Sequence, residues 1–108
     1  GGQLHIAAAP VVIAAVGTNP ERVMMCGVPA YAVNLAIAMD HMTLAAVDEG
    51  LGTCWIGAFS QDKAREILNV PANCRIVTMM PLGFPKQTGR PKIRKPLDEI
   101  VCYESFKE

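Results

Sequence analysis

The sequence is short of charge and of histidine. Among its 108 residues, ten Lys or Arg balance ten Asp or Glu, giving a formal net charge of zero, and there are two His. A chain balanced in this way has no net field to draw it to nucleic acid or to an anionic membrane. His5 and His41 lie far apart, and no Ser-His-Asp or Cys-His arrangement can be read from the spacing. His41 beside Asp40 reads as a packed or solvated helix residue. The acidic pairs Asp48-Glu49 and Asp98-Glu99 sit at element ends and read as solvated. Cysteine is present but not paired: Cys26, Cys54, Cys74 and Cys102 form no C-x-x-C, which leaves a zinc site or a redox dithiol unsupported. Reduced thiols in a cytoplasm fit better, because no secretory signal is visible and apolar residues are ample. The longest apolar run, Ile6 to Val16, is broken by Pro10 and too short to span a bilayer. There is no G-x-G-x-x-G, no P-loop, no internal repeat and no low-complexity segment.

What the sequence does have is apolar surface. Hydrophobic residues make up 51% and charged residues 19%. In a single small domain so much apolar surface is hard to cover, which points to an oligomer. Residues 9–16, Ala-Pro followed by a β-branched apolar run, read as a buried strand closed by Gly17-Thr18-Asn19-Pro20. Residues 29–49 read as a long helix, opened by Pro29 and stopped by Gly50. Tyr31, Val33, Leu35, Ile37, Met39, Met42, Leu44 and Val47 leave it apolar on almost every face. A small domain covers one face of such a helix, so the second face is expected to meet another chain; the bland alternative is a core helix under a larger sheet. Residues 53–56 read as a short strand. Ser60 is a plausible N-cap for a helix ending near Asn69, with Pro71 beyond. Residues 75–83 read as a third strand, in which Pro81 suggests an edge or a bulge. The basic, Pro-rich stretch FPKQTGRPKIRKP follows. Leu97–Ile100 reads as a helical turn and residues 101–106 as an extended tail. Strands and helices alternating in this order indicate an α/β (α+β) fold, read as one domain over 1–108.

Two segments invite a functional reading. Gly50-Leu51-Gly52-Thr53-Cys54-Trp55-Ile56-Gly57-Ala58-Phe59 places the only Trp of the chain among glycines that permit close backbone approach. Lys92 and Arg94 alternate around Ile93, so in an extended chain both point the same way and can clamp a phosphate. The bland reading of the second segment is a solvated loop.

Taken in order, these pieces resemble the C-terminal part of the FMN-dependent nitroreductase family. Residues 9–13 are similar to its Ala-Pro-plus-apolar central strand, and residues 34–46 to its long dimer-core helix. Residues 50–59 are similar to its GLG-x-x-W-x-G-x-F segment. Ile67-Leu68-Asn69-Val70-Pro71 and Leu82-Gly83-Phe84-Pro85 match the following helix end and strand end. Lys92-Ile93-Arg94-Lys95-Pro96-Leu97, with Ile100-Val101, matches its closing pattern. The resemblance covers nearly the whole chain. It implies a nitroreductase-like sheet, a buried interface helix over 29–49 and a homodimer with FMN in the cleft between subunits. It also implies hydride transfer from NAD(P)H through flavin N5 to a nitroaromatic or quinone-like acceptor. The Trp55-Ile56-Gly57 backbone would then follow the isoalloxazine edge, with the Ile56 or Gly57 amide as donor to N5, and Lys92 and Arg94 would hold the FMN phosphate. No catalytic acid or nucleophile of the chain is needed, because the redox chemistry belongs to the cofactor. The family's usual N-terminal segment is missing from the resemblance, so the chain reads as truncated. The alternative is a non-catalytic dimerisation module that has lost flavin binding.

Overall fold

The strand expected over residues 75–83 forms the middle of the sheet. In the computed structural model, which describes residues 8–87 and 89–108, β1 (Val11–Gly17) and β2 (Gly52–Thr53) both pair antiparallel with β3 (Arg75–Gly83), in the order β1-β3-β2. His5 lies outside the described residues. Ile76, Thr78 and Met80 are buried at every second position of β3, the period of a strand. Between β1 and β3 the register shifts at Ala15/Val16.

The central place of β3 corrects the expectation that Pro81 marks an edge or a bulge. Pro81 is aligned with Val12 of β1 inside a continuous ladder. Its effect falls on the other side. β2 pairs Gly52 with Gly83 and Thr53 with Leu82, and the chain returns in the same register where Ile56 meets Met79. The two positions skipped are Cys54, which would face Pro81, and Trp55, which would face Met80. Met79 exchanges both its backbone bonds with Ile56, so residue 81, two positions along, turns its backbone nitrogen to the same side. Proline has no N–H to give there. The ladder therefore opens opposite Pro81, and the strand expected over 53–56 shrinks to two residues and a single bridge.

Helix α1 (Ala30–Asp48) begins after Pro29 and ends in a Schellman turn. There Leu51 donates to the Ala46 carbonyl at 2.8 Å, Gly50 donates to the Val47 carbonyl at 3.0 Å, and Gly50 sits at φ +74°. One face of α1 lies on the sheet: Met39 packs with Ala15 and Met80, flanked by Ile13, Leu35 and Val77. The other face is bare, with Ile37, Leu44 and Val47 all more than half exposed. The helix expected to be buried is thus covered on one side only within this chain. By length and mean hydropathy (1.3) it could cross a membrane, although Asp40 and His41 stand exposed near its middle.

Helix α2 (Gln61–Leu68) starts at Ser60, whose Oγ accepts from the Lys63 amide at 3.4 Å, and ends at Asn69 in the left-handed region at φ 54°. One of its side chains binds the sheet and another binds the turn that leads into β3. The Gln61 amide group pairs with the Ile76 backbone in both directions. Arg65 donates to the Ala72 carbonyl at 3.0 Å and the Cys74 carbonyl at 3.3 Å, and its guanidinium also meets Asp62 at 2.7 Å. After β3 the chain leaves the core. The described residues from Phe84 to Glu108 are exposed, including the short α3 (Leu97–Ile100).

Candidate functional site

The segment 53–56 is held at its two ends and free between them. On one side it is joined to β3 by the Gly52 and Thr53 pairs. On the other, the Ile56 amide donates to the Met79 carbonyl at 2.9 Å and the Met79 amide donates back to the Ile56 carbonyl at 3.2 Å. The Thr78 hydroxyl, fully buried, adds a bond to the same Ile56 carbonyl at 2.9 Å. Ile56 itself is 3% exposed, whereas Trp55 next to it is 45% exposed. The gap opposite Pro81 releases Trp55 from the sheet, and the Ile56 bridge seizes the chain again.

The two amides suggested as cofactor donors are now distinguishable. Ile56 has spent its N–H on Met79. Gly57 makes no hydrogen bond among the described residues, and a Cβ built on it meets nothing within 4 Å. The glycines of this segment therefore differ in purpose. Gly50 serves a helix end. Gly52 lies under Pro85, whose Cβ a side chain there would approach to 3.1 Å. Gly57 faces open space. An unpartnered backbone donor beside open space, next to a half-exposed indole, suits the edge of a flat polar ring. On this side the residues present fit a flavin.

The cationic half is placed differently. Lys92 and Arg94 stand exposed on the segment after β3, and the Arg94 guanidinium bonds the carbonyl of its own neighbour Ile93 at 3.1 Å. No carboxylate neutralises either one among the described residues. Neither side chain hydrogen-bonds to the Gly57 segment. Both side chains are exposed and carry no ion pair among the described residues, so both can meet an anion.

A cleft of about 370 Å³ adjoins the ladder gap, lined in part by Pro10, Thr53, Cys54, Pro81, Phe84 and Lys86. Lys86 belongs to the basic stretch after β3, whereas Thr78 did not stand out as a site residue in the sequence. Thr78 reads there as one more strand residue, and only the register with Ile56 gives its hydroxyl a purpose. All four cysteines are free thiols, with Cys74 buried and the others exposed. Among the described residues no group of three His, Cys, Asp or Glu is placed to hold a metal.

Comparison with known proteins points one way. The model of the Nitroreductase family matches residues 1–84. An NADPH-flavin oxidoreductase of Vibrio harveyi is 33% identical over 79 residues, which covers 71% of this chain and 33% of that protein. A nitroreductase family protein of Clostridium novyi NT, of known crystal structure, is 46% identical with a TM-score of 0.68, covering 72% of this chain and 44% of that one. A second, from Clostridium difficile 630, is 29% identical with a TM-score of 0.81, covering 94% of this chain and 63% of that one. The chain spans about a third of the length of the curated relatives it matches. Its mixed helix-and-strand sheet, its long helix and its GLGTCWIGAF segment thus lie within the matched region, and the chain belongs to the nitroreductase family.

Proposed function

We propose that this chain is the flavin-edge part of an FMN-dependent oxidoreductase, which passes hydride from NAD(P)H through flavin N5 to a nitroaromatic or quinone-like acceptor. The observation that carries this reading is the unpartnered Gly57 amide, at a residue where a Cβ would meet nothing within 4 Å, while its neighbour Ile56 is locked to β3. When bound, FMN supplies the redox chemistry, and the protein supplies position and electrostatics. Gly57 N–H is the donor offered to the ring edge. Trp55 walls the segment and has no acid–base role. Lys92 and Arg94 offer two uncompensated cations for the phosphate. The reading takes residues 1–108 as one domain, the C-terminal part of a nitroreductase-like fold, in a cytoplasmic protein.

The same reading makes the chain a homodimer through α1. The accessible surface is 8823 Å². A compact monomer of 11.6 kDa would expose about 5,800 Å². The radius of gyration is 16.8 Å, against about 13 Å for a compact chain of this length. The excess includes apolar side chains on α1 and beyond β3, such as Leu44, Val47, Ile93 and Phe106. Burying such surface against a second copy is the economical outcome. It also accounts for the hydropathy of α1 without a membrane, since Asp40 and His41 near its middle would be costly in lipid.

The test is an absorbance spectrum of the purified chain after FMN addition and gel filtration, with its mass in solution. A flavin spectrum that travels with a dimer supports the reading. A dimer that never retains FMN supports the second reading, a dimerisation module without flavin, which the chain's span of about a third of its curated relatives favours. In a chain that holds FMN, the double change Lys92→Ala and Arg94→Ala is expected to weaken retention by about ten-fold or more, because hydrogen bonds to charged groups contribute about 1.5–3 kcal/mol each. Retention unchanged in that variant would remove both cations from the phosphate site.

A further inference from the structure

A hydroxyl at the centre of the sheet calls for explanation. Thr78 is 0% exposed among Ile76, Met80 and Ile56, all buried and apolar. Valine would fill the same space without a polar atom to satisfy, and burying an unsatisfied hydroxyl is unfavourable. The hydroxyl is satisfied by the Ile56 carbonyl at 2.9 Å, with the Met79 carbonyl at 3.3 Å as a weaker second acceptor. The Ile56 carbonyl already receives the Met79 amide at 3.2 Å. Two donors therefore grip one oxygen, one from the backbone ladder and one from a side chain.

That oxygen is not an arbitrary one. The carbonyl of Ile56 and the amide of Gly57 belong to one peptide unit. Peptide units are planar, and this chain has no cis bond among the described residues. In a trans unit the N–H points opposite to the C=O. Once the Ile56 carbonyl is turned into the sheet, the Gly57 N–H must point out of it. On both sides of Ile56 the chain is unpaired with β3: Cys54 and Trp55 lie in the gap opposite Pro81, and Gly57 lies beyond the bridge. With a single ladder bridge, the Met79 amide alone would leave the plane free to tilt about that bond. A second donor from a different direction removes the freedom.

We propose that Thr78 is a positioning residue for the cofactor edge: its hydroxyl fixes the Ile56–Gly57 peptide plane, so that the Gly57 N–H is aimed outward before any ligand arrives. The inference rests on the reading of Gly57 as the flavin-facing donor. Preorganisation of this kind removes the ordering cost from the binding step. It acts through another residue and touches no ligand itself.

The test compares Thr78→Val, which keeps the shape and removes the hydroxyl, with Thr78→Ser, which keeps the hydroxyl. The full chain is labelled with ¹⁵N and titrated with FMN, and the Gly57 amide resonance is followed with the dissociation constant. In the parent chain and in Thr78→Ser, FMN is expected to move the Gly57 amide proton downfield. In Thr78→Val that displacement should shrink by about half, and the dissociation constant should rise about five-fold, the loss typical of one neutral hydrogen bond. A Thr78→Val chain with the parent's displacement and affinity overturns the inference and leaves the function standing. Equal losses in Thr78→Val and Thr78→Ser also overturn it, because packing rather than the hydroxyl would then be responsible. A parent chain that binds no FMN overturns the functional reading and the inference with it.

Discussion

Gly57→Val is expected to fold as well as the parent chain and to lose its grip on FMN. The two halves of this expectation come from one geometric fact. A Cβ at Gly57 meets nothing within 4 Å, and Gly57 is not among the residues at positive φ. The side chain therefore enters empty space, and the folded state should change by no more than about 0.5 kcal/mol. If that space is where the ring edge lies, the same side chain collides with it. Overpacking costs about 1–3 kcal/mol, which corresponds to as much as a hundred-fold in affinity, roughly. Urea unfolding and an FMN titration, run on the same preparation, separate the two effects. A variant that binds FMN as tightly as its parent would show that the space beside Gly57 is not the cofactor's.

Met80→Ala should produce the largest loss of stability of any single change considered. Met80 is fully buried at the point where β3, Ala15 of β1 and Met39 of α1 meet. Truncating a buried Met to Ala costs about 2–5 kcal/mol, part from lost transfer energy and part from the cavity. This core is small, with Met39, Ile76, Thr78 and Met80 as its largest fully buried side chains. The surroundings have little capacity to collapse and refill the space. A loss of about 3 kcal/mol lowers the Tm by about 15 °C in a domain of this size, and a large part of total stability disappears with it. A thermal melt decides the point, and a shift of only two or three degrees, roughly, would mean that the α1–sheet contact is not the stabilising centre.

The parts of the fold that were legible in the sequence are those fixed by local chemistry. Pro29 and Gly50 bracketed α1 because each acts on its own backbone. Ser60 and Asn69 did the same for α2, and the apolar run of Ile76, Val77, Met79, Met80 and Leu82 marked β3. What could not be read was anything that depends on register. Pro81 advertised a defect, but only the pairing partners decide on which side of β3 the missing N–H falls. That it falls opposite Cys54, and so frees Trp55, is a tertiary fact. The preference for Gly57 over Ile56 as donor has the same origin, since both have an amide and only the Ile56–Met79 bridge consumes one of them. Lys92 and Arg94 were found by spacing and by family likeness. The exposed course of the chain after β3 was not legible, because a basic, Pro-rich composition gave it no direction. The interface reading of α1 was an argument about coverage, and the bare face that prompted it is present.

The strand order carries a consequence for handling the protein. With β3 in the middle, β1 is an outer strand, and the described residues cover one of its two flanks only. Its sequence, VVIAAVG, has no charge and no proline, and Val11 and Val12 are 48% and 41% exposed. Uncharged, β-branched segments with an unpaired flank are templates for chain-to-chain strand addition and, when stacked, for cross-β fibres. Pro10 guards one end, and none of the described residues pairs along the length of that flank. Whatever lies along that flank in the assembled protein therefore also acts as an internal chaperone against self-polymerisation. Solutions in which it is displaced, by dilution, by heating or by cutting the chain, are the ones in which turbidity should first appear.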